Sequence, residues 1–135
     1  MTPPTPYLLL PGTAREALTF WAEIFGGQAM LHTFAEFSRS DGPPDAIAHG
    51  YVRGGSVNIS AADAARDDQP FRSQGLMLAL LGTAGPDTLR GWFSTLAQGG
   101  TVVDDLQRRP WGATDGRVID RFGVEWLIGF EDEAS

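Results

Sequence analysis

The stretch Trp111–Phe130, WGATDGRVIDRFGVEWLIGF, decides how this chain is read. It holds two tryptophans, two phenylalanines and four glycines. From Gly116 onward it reads as two short strands around a turn at Arg121-Phe122-Gly123, with β-branched and aromatic residues on either side. An earlier stretch, AIAHGYVRGGSVNIS from Ala46 to Ser60, has the same form around Arg53-Gly54-Gly55. Setting Gly55 against Gly123 aligns Arg53 with Arg121, Ile59 with Leu127 and Ser60 with Ile128. The aromatic stretch is therefore half of an internal repeat.

The repeat extends outward to a helix in each half. Thr13 precedes AREALTFWAEIFGG, and Glu16 follows three residues later, the spacing of a capping box. Ala17, Phe20, Trp21 and Ile24 fall at i, i+3, i+4 and i+7, which predicts one buried stripe. Gly26-Gly27 ends that helix. In the second half Pro86-Asp87 precedes TLRGWFSTLAQGG, and Leu89, Trp92, Phe93 and Leu96 repeat the spacing. Gly91 costs this helix about 1 kcal/mol relative to alanine, which suggests a close contact of helix and sheet there.

An apolar strand precedes each helix: Tyr7–Leu10, YLLL, and Leu76–Leu81, LMLALL. A further strand follows each glycine pair, in AMLHTFAEF and TVVDDL. Each half thus runs strand, helix, three strands. The predicted fold class is α+β, with two β-α-β-β-β modules. Module one covers about 5–62, a polar connector about 63–74, and module two about 75–131, all within one domain of 1–135. Neither module alone buries much, so the two should pack together or pair with those of a second chain.

Composition narrows the function. With 17 acidic and 10 basic residues the net charge is -7, a field that repels phosphate backbones and argues against nucleic acid as partner. No run of about 18 apolar residues is present, so no membrane-spanning helix is expected. The start, MTPPTPYLLLPG, lacks the basic and long apolar regions of a secretion signal. The chain has no cysteine, which removes disulfides, zinc-thiolate sites and cysteine nucleophiles and fits a cytoplasmic setting.

Paired β-α-β-β-β modules resemble the vicinal oxygen chelate superfamily of glyoxalases, extradiol dioxygenases and bleomycin-resistance proteins. Four segments are similar to its PhnB-like branch: PYLLLPGTAREALTFWAEIFGG, HGYVRGGSVNISAAD, LAQGGTVVDDL and WGATDGRVIDRFGVEWLI. The resemblance implies mixed sheets, each curled around a cavity. It also implies pairing of modules within or between chains, and a homodimer is expected. Metal-using members place His and Glu ligands on the first and last strands of each module. Here the first-strand positions hold Pro6-Tyr7-Leu8 and Gly75-Leu76-Met77, and the last-strand positions hold Ile59 and Leu127. Such side chains do not ligate a divalent ion, so neither metal nor other cofactor is expected.

Six residues remain as candidates for a ligand site: His49, Tyr51, Ile59, Trp111, Glu125 and Leu127. Strand alternation groups Ile47, His49 and Tyr51 on one face, and Glu125 with Leu127 on another. The resemblance turns those faces into the cavity. An imidazole at His49 would bind an oxyanion, act as a general base or be a lone metal ligand. A carboxylate at Glu125 in an apolar cavity would exchange protons near neutrality. Trp111, on a loop after Arg108-Arg109-Pro110, would line the cavity mouth, while His32 is expected at an edge or facing solvent, and Trp126 on the helix side. No Ser-His-Asp arrangement can be assembled from these residues.

The leading expectation is a metal-free protein that binds or sequesters a planar or aromatic small molecule. One alternative is a glyoxalase-type lyase or isomerase using His49 and Glu125, with or without a divalent metal. The other is a structural or regulatory dimer.

Overall fold

The computed structural model describes residues 3–72 and 74–132. These cluster into two compact units that divide between Phe71 and Arg72. The first holds β1 (Tyr7–Leu10), α1 (Ala14–Phe25), β2 (Gln28–Thr33), β3 (Ile47–Arg53) and β4 (Ile59–Asp63). The second holds β5 (Leu78–Leu81), α2 (Pro86–Ala97), β6 (Thr101–Arg108), β7 (Ala113–Ile119) and β8 (Glu125–Glu131). Each unit carries one mixed four-stranded sheet, ordered β1-β4-β3-β2 and β5-β8-β7-β6. The first and last strands of each unit pair in parallel and the other neighbours run antiparallel. The α+β fold and the repeat therefore stand as the sequence predicts. Neither sheet closes on itself. No helix among the described residues is long and apolar enough to cross a membrane.

One helix covers one face of each sheet. Against α1 lie Leu8, Leu10, Val52, Ile59 and Ala61, all nearly or fully buried. Gly50 belongs to this face. A Cβ there would come within 2.5 Å of the Leu18 side chain, so glycine lets the helix settle onto β3. The buried stripe of α1 is Ala14, Ala17, Leu18, Trp21 and Phe25. Phe20 and Ile24, expected in that stripe, are only half-buried, because the helix is rotated about one position from the simplest reading. In α2 the buried residues are Leu89, Trp92, Phe93 and Leu96, as expected.

The capping box is not formed. Thr13 makes no side-chain cap hydrogen bond. Instead Asp63, at the end of β4, accepts from the Ala14 N–H at 2.9 Å and from the Ile47 N–H at 2.8 Å. One buried carboxylate thus ties together the start of α1, the start of β3 and the end of β4. It satisfies a helix N-terminal amide and complements the helix dipole from across the sheet. Asp63 is consequently part of the sheet and not the first residue of the connector.

The second unit has its own buried carboxylate, inside the aromatic stretch. Asp120 accepts from the Phe122 and Val124 N–H groups at 2.9 and 3.1 Å, and from the Trp126 indole N–H at 2.9 Å. Asp120 is 3% exposed and Trp126 is fully buried on the side of α2. Gly123 closes the turn with φ 87°, a conformation that favours glycine. The stretch is thus a folding unit: its Asp, Gly and Trp fix one hairpin.

The two hairpins differ by one residue. Val52 pairs with Ile59, leaving residues 53–58 between them; Val118 pairs with Trp126, leaving residues 119–125. Both pairs face their helix. The counterpart of Leu127 is therefore Ser60, and Ile59 corresponds to Trp126. A one-residue difference moves a strand residue to the opposite face, so Ile59 is a core residue at 0% exposure and not part of the open face.

Gly91 is exposed, and a Cβ there would meet nothing within 4 Å, so no close contact explains it. Gly91→Ala is expected to raise stability by about 1 kcal/mol in urea unfolding. Asp120→Ala is expected to lower it by about 2–4 kcal/mol, because two amides and an indole lose their buried acceptor. An unchanged midpoint for Asp120→Ala would remove the clamp from this description.

Candidate functional site

The face of the first sheet away from α1 is built from strand alternation. His49, Tyr51 and Arg53 project from β3 at i, i+2 and i+4. Cross-strand pairing sets Tyr51 beside Ser60 and Met30, Ser60 beside Tyr7, and His49 beside His32. A bulge between His32 and Thr33 breaks the alternation at the start of β3. It turns Ile47, expected beside His49, into the core at 0% exposure.

The rings on this face form a connected set. The Tyr7 hydroxyl and the His49 Nδ1 are 2.9 Å apart, with ring centroids at 5.6 Å. His49 and His32 lie nearly parallel with centroids at 6.4 Å, and Tyr51 is tilted against His49 at 5.7 Å. Phe37 stacks on His32 at 5.7 Å, while the His32 Nδ1 bonds Glu36 at 2.9 Å. His32 does lie on the edge strand β2, but it is half-buried and part of the ring set. Beyond Tyr51, a cleft of about 600 Å³ is lined by Gly27, Gln28, Met30, Tyr51, Arg53 and Gly54. Tyr7, 50% exposed, Met30 and Phe37 are among the exposed large apolar residues of the chain.

Burial pushes the Tyr7 phenol above its ordinary range, and Arg39 opposes this by favouring the phenolate. The neutral O–H is therefore available to donate to His49 Nδ1. In that arrangement the imidazole carries its proton on Nε2, as a donor for a ligand. Sequence reasoning singled out His49 and Tyr51 but passed over Tyr7 and Arg53. Arg53 was legible from the period of two along β3; Tyr7 needed the parallel β1–β4 pairing.

The corresponding face of the second sheet is ionic. Arg117 donates to Glu125 at 2.7 Å. Arg109 bridges Asp115 at 2.7 Å and Asp104 at 2.6 Å. The Arg109 hydrogen bond holds the Asp104 carboxyl below its ordinary range, against partial desolvation. Glu125 is buried, at 7% exposure, and Leu127 half-buried beside Arg117. The environment expected for Glu125 was apolar; the structure supplies a guanidinium partner. Trp111 is on a loop and 72% exposed. A separate cleft of about 390 Å³, lined by Leu81, Asp115, Gly129, Phe130 and Glu131 among others, includes none of the expected residues. His49 and Glu125 belong to different units.

On the open faces, Tyr7 stands beside Ser60 on the first and last strands, and Ala79 beside Leu127. Neither pair contains an imidazole or a carboxylate. Among the described residues no group of three or more His, Asp or Glu could hold a metal ion. The residues present do not fit the ligand set implied by the resemblance.

A profile of the Glyoxalase/Bleomycin resistance protein/Dioxygenase superfamily matches residues 6–128. The chain belongs to that superfamily. Protein YjdN of Escherichia coli K12 is 29% identical over 139 residues, covering 93% of each chain. The crystal structure of PA1353 from Pseudomonas aeruginosa is 28% identical, covers 98% of this chain and 100% of its own, and superposes with TM-score 0.80. A PhnB protein from Bacillus cereus, 20% identical over the same shares, has TM-score 0.77 and shows the same fold. This chain shares the paired β-α-β-β-β plan with these solved structures.

The raised Tyr7 value has a measurable sign. Its folded-state value lies above the unfolded value of about 10, so its stabilising contribution is complete below that pH. The contribution is lost as pH rises through the folded-state value. Half the residue stays exposed, so solvent screens the effect. Tyr7 is expected to ionise above the ordinary tyrosine range in a phenolate absorbance titration, and Tyr7→Phe should remove that phase. Tyr7 ionising in the ordinary range would contradict the burial argument.

Proposed function

We propose that this chain binds a planar small molecule on the open face of its first sheet and holds it without a metal ion. The observation that carries the reading is the Tyr7–His49–His32–Tyr51 ring set beside an open cleft. Aromatic side chains left uncovered by the sheet's own helix offer stacking surface, and the imidazole adds one directional polar contact. Apolar or hydroxyl side chains at the family's ligand positions support binding over metal chemistry. Glu125, Leu127 and Trp111 belong to the second unit and are not part of the proposed site.

An enzymatic reading is favoured by one feature, the Tyr7–His49 hydrogen bond: in the other tautomer, with His49 Nδ1–H donating to the Tyr7 oxygen, Nε2 is left free as a general base. It requires a substrate proton within reach of the free imidazole nitrogen. Turnover of a bound compound by wild type, abolished in His49→Gln, would replace the binding reading by this one.

The test is a thermal-shift screen of planar aromatic compounds. Compounds that stabilise the wild type should bind about tenfold or more weakly to His49→Ala and Tyr51→Ala, each still folded. Glu125→Gln, in the second unit, is a control expected to leave the affinity unchanged. Unchanged affinity in both first-unit variants would place the site elsewhere.

We further infer a metal-free homodimer working in the cytoplasm. Elemental analysis of the purified protein should find no stoichiometric zinc, nickel, iron or manganese. Light scattering on the same sample should give twice 14.5 kDa. About one metal per chain, or a monomer mass at micromolar concentrations, would count against it. Cell fractionation that finds the protein outside the cytoplasm would overturn the location.

A further inference from the structure

Arg53 differs from the cations held in ion pairs in either unit. Arg39 is held by Asp41, Arg117 by Glu125, and Arg109 by Asp104 and Asp115. Among the described residues Arg53 makes no ion pair. Its guanidinium carbon sits 4.0 Å from the Tyr51 ring centroid, stacked on the aromatic face. Arg90, 5.0 Å from the Phe130 ring in the second unit, is likewise stacked without an ion pair among the described residues; Arg53 is the one that lines the cleft beside Tyr51.

The surroundings give that cation a cleft. Gly27 and Gly54 leave its floor without side chains, and Met30 and Tyr51 supply apolar walls. Gly27 is required there: a Cβ would stand 2.3 Å from the Arg53 carbonyl oxygen. Among the described residues no carboxylate lines the cleft, and of the first unit's acids Glu36 is bonded to His32 and Asp41 to Arg39. Positive charge on this side of the sheet is therefore not cancelled at Arg53.

A stacked guanidinium keeps its N–H edge free and loses little freedom when a second partner arrives. The partner that satisfies both that edge and the apolar walls has a flat ring and an acid group. We infer that the ligand of the first sheet is a planar aromatic acid, its oxyanion bound by Arg53 and its ring lying against Met30 and Tyr51. The inference rests on the binding reading given above and adds the charge of the ligand and the residue that selects it. A carboxylate takes two parallel hydrogen bonds from the guanidinium, which an amide of the same shape cannot match. The thioether of Met30 makes a favourable edge contact with such a ring.

The experiment compares three probes of one shape by calorimetric titration: 2-naphthoate, 2-naphthamide and 2-naphthylmethylammonium. Wild type should bind the naphthoate about tenfold or more tightly than the amide, and the ammonium weakest. Arg53→Gln should bring the naphthoate down to the level of the amide and leave the amide within about twofold of wild type. Tyr51→Ala should weaken both. Equal binding of naphthoate and amide, preference for the ammonium, or no effect of Arg53→Gln would overturn the acid while leaving an aromatic-binding face. If none of the probes binds, or if binding ignores Tyr51→Ala and His49→Ala alike, both the acid and the site fall together. Circular dichroism of the Arg53 variant checks its fold; an exposed side chain on a strand end is not expected to disturb it.

Discussion

A single helix covers only one face of each four-stranded sheet, and the contrast between the two faces follows from that limit. The helix-side residues are fixed by packing. Val52, Ile59 and Ala61 under α1, and Val118, Trp126 and Ile128 on the side of α2, are almost wholly removed from water. The opposite faces carry every remaining side chain of the strands. In each unit a buried carboxylate holds this arrangement at its margins. Asp63 joins helix, first hairpin strand and last strand; Asp120 joins a turn to an indole. Both satisfy backbone amides that would otherwise be buried without partners, which is where a small sheet is most easily lost.

With packing settled on one side, the two open faces have diverged in chemistry. The first carries Tyr7, His32, His49 and Tyr51, rings that stack on one another. The second carries Arg117 with Glu125, and Arg109 between Asp104 and Asp115, charges that neutralise one another. A neutralised ionic face has little left to offer a ligand, because its donors and acceptors are already engaged. An aromatic face keeps its stacking surface. Repeated architecture therefore does not mean repeated chemistry, and the binding proposal rests on the first unit alone.

Membership of the glyoxalase/bleomycin resistance protein/dioxygenase superfamily fixes the plan of the chain and leaves its chemistry to the side chains on that plan. The pairs Tyr7 with Ser60 and Ala79 with Leu127 hold neither imidazole nor carboxylate. What the first unit has in their place is a phenol set against His49 and a guanidinium set on Tyr51. Both are the arrangements on which the proposed binding of a flat, polar-edged molecule rests.

The repeat, the ten elements and their order could be read from the sequence, because periods of two and of three to four, broken by glycine pairs, are local properties. So could the grouping of His49 with Tyr51 and of Glu125 with Leu127, since alternation along a strand needs no partner. Contacts distant in sequence could not be read. Thr13 was a plausible cap until Asp63, 49 residues beyond the amide it binds, took that role. Ile59 looked equivalent to Leu127 until pairing showed the second hairpin one residue longer, which exchanges the faces. Glu125 looked like a lone acid until Arg117 was found across the strand. Tyr7 acquired its meaning only when parallel pairing of β1 and β4 brought its hydroxyl to His49. The sequence by itself determined which residues form each element and which alternate together. Only the tertiary structure decided which face each strand presents and which charges are already spent, because register and ion pairing are set between strands and not along them.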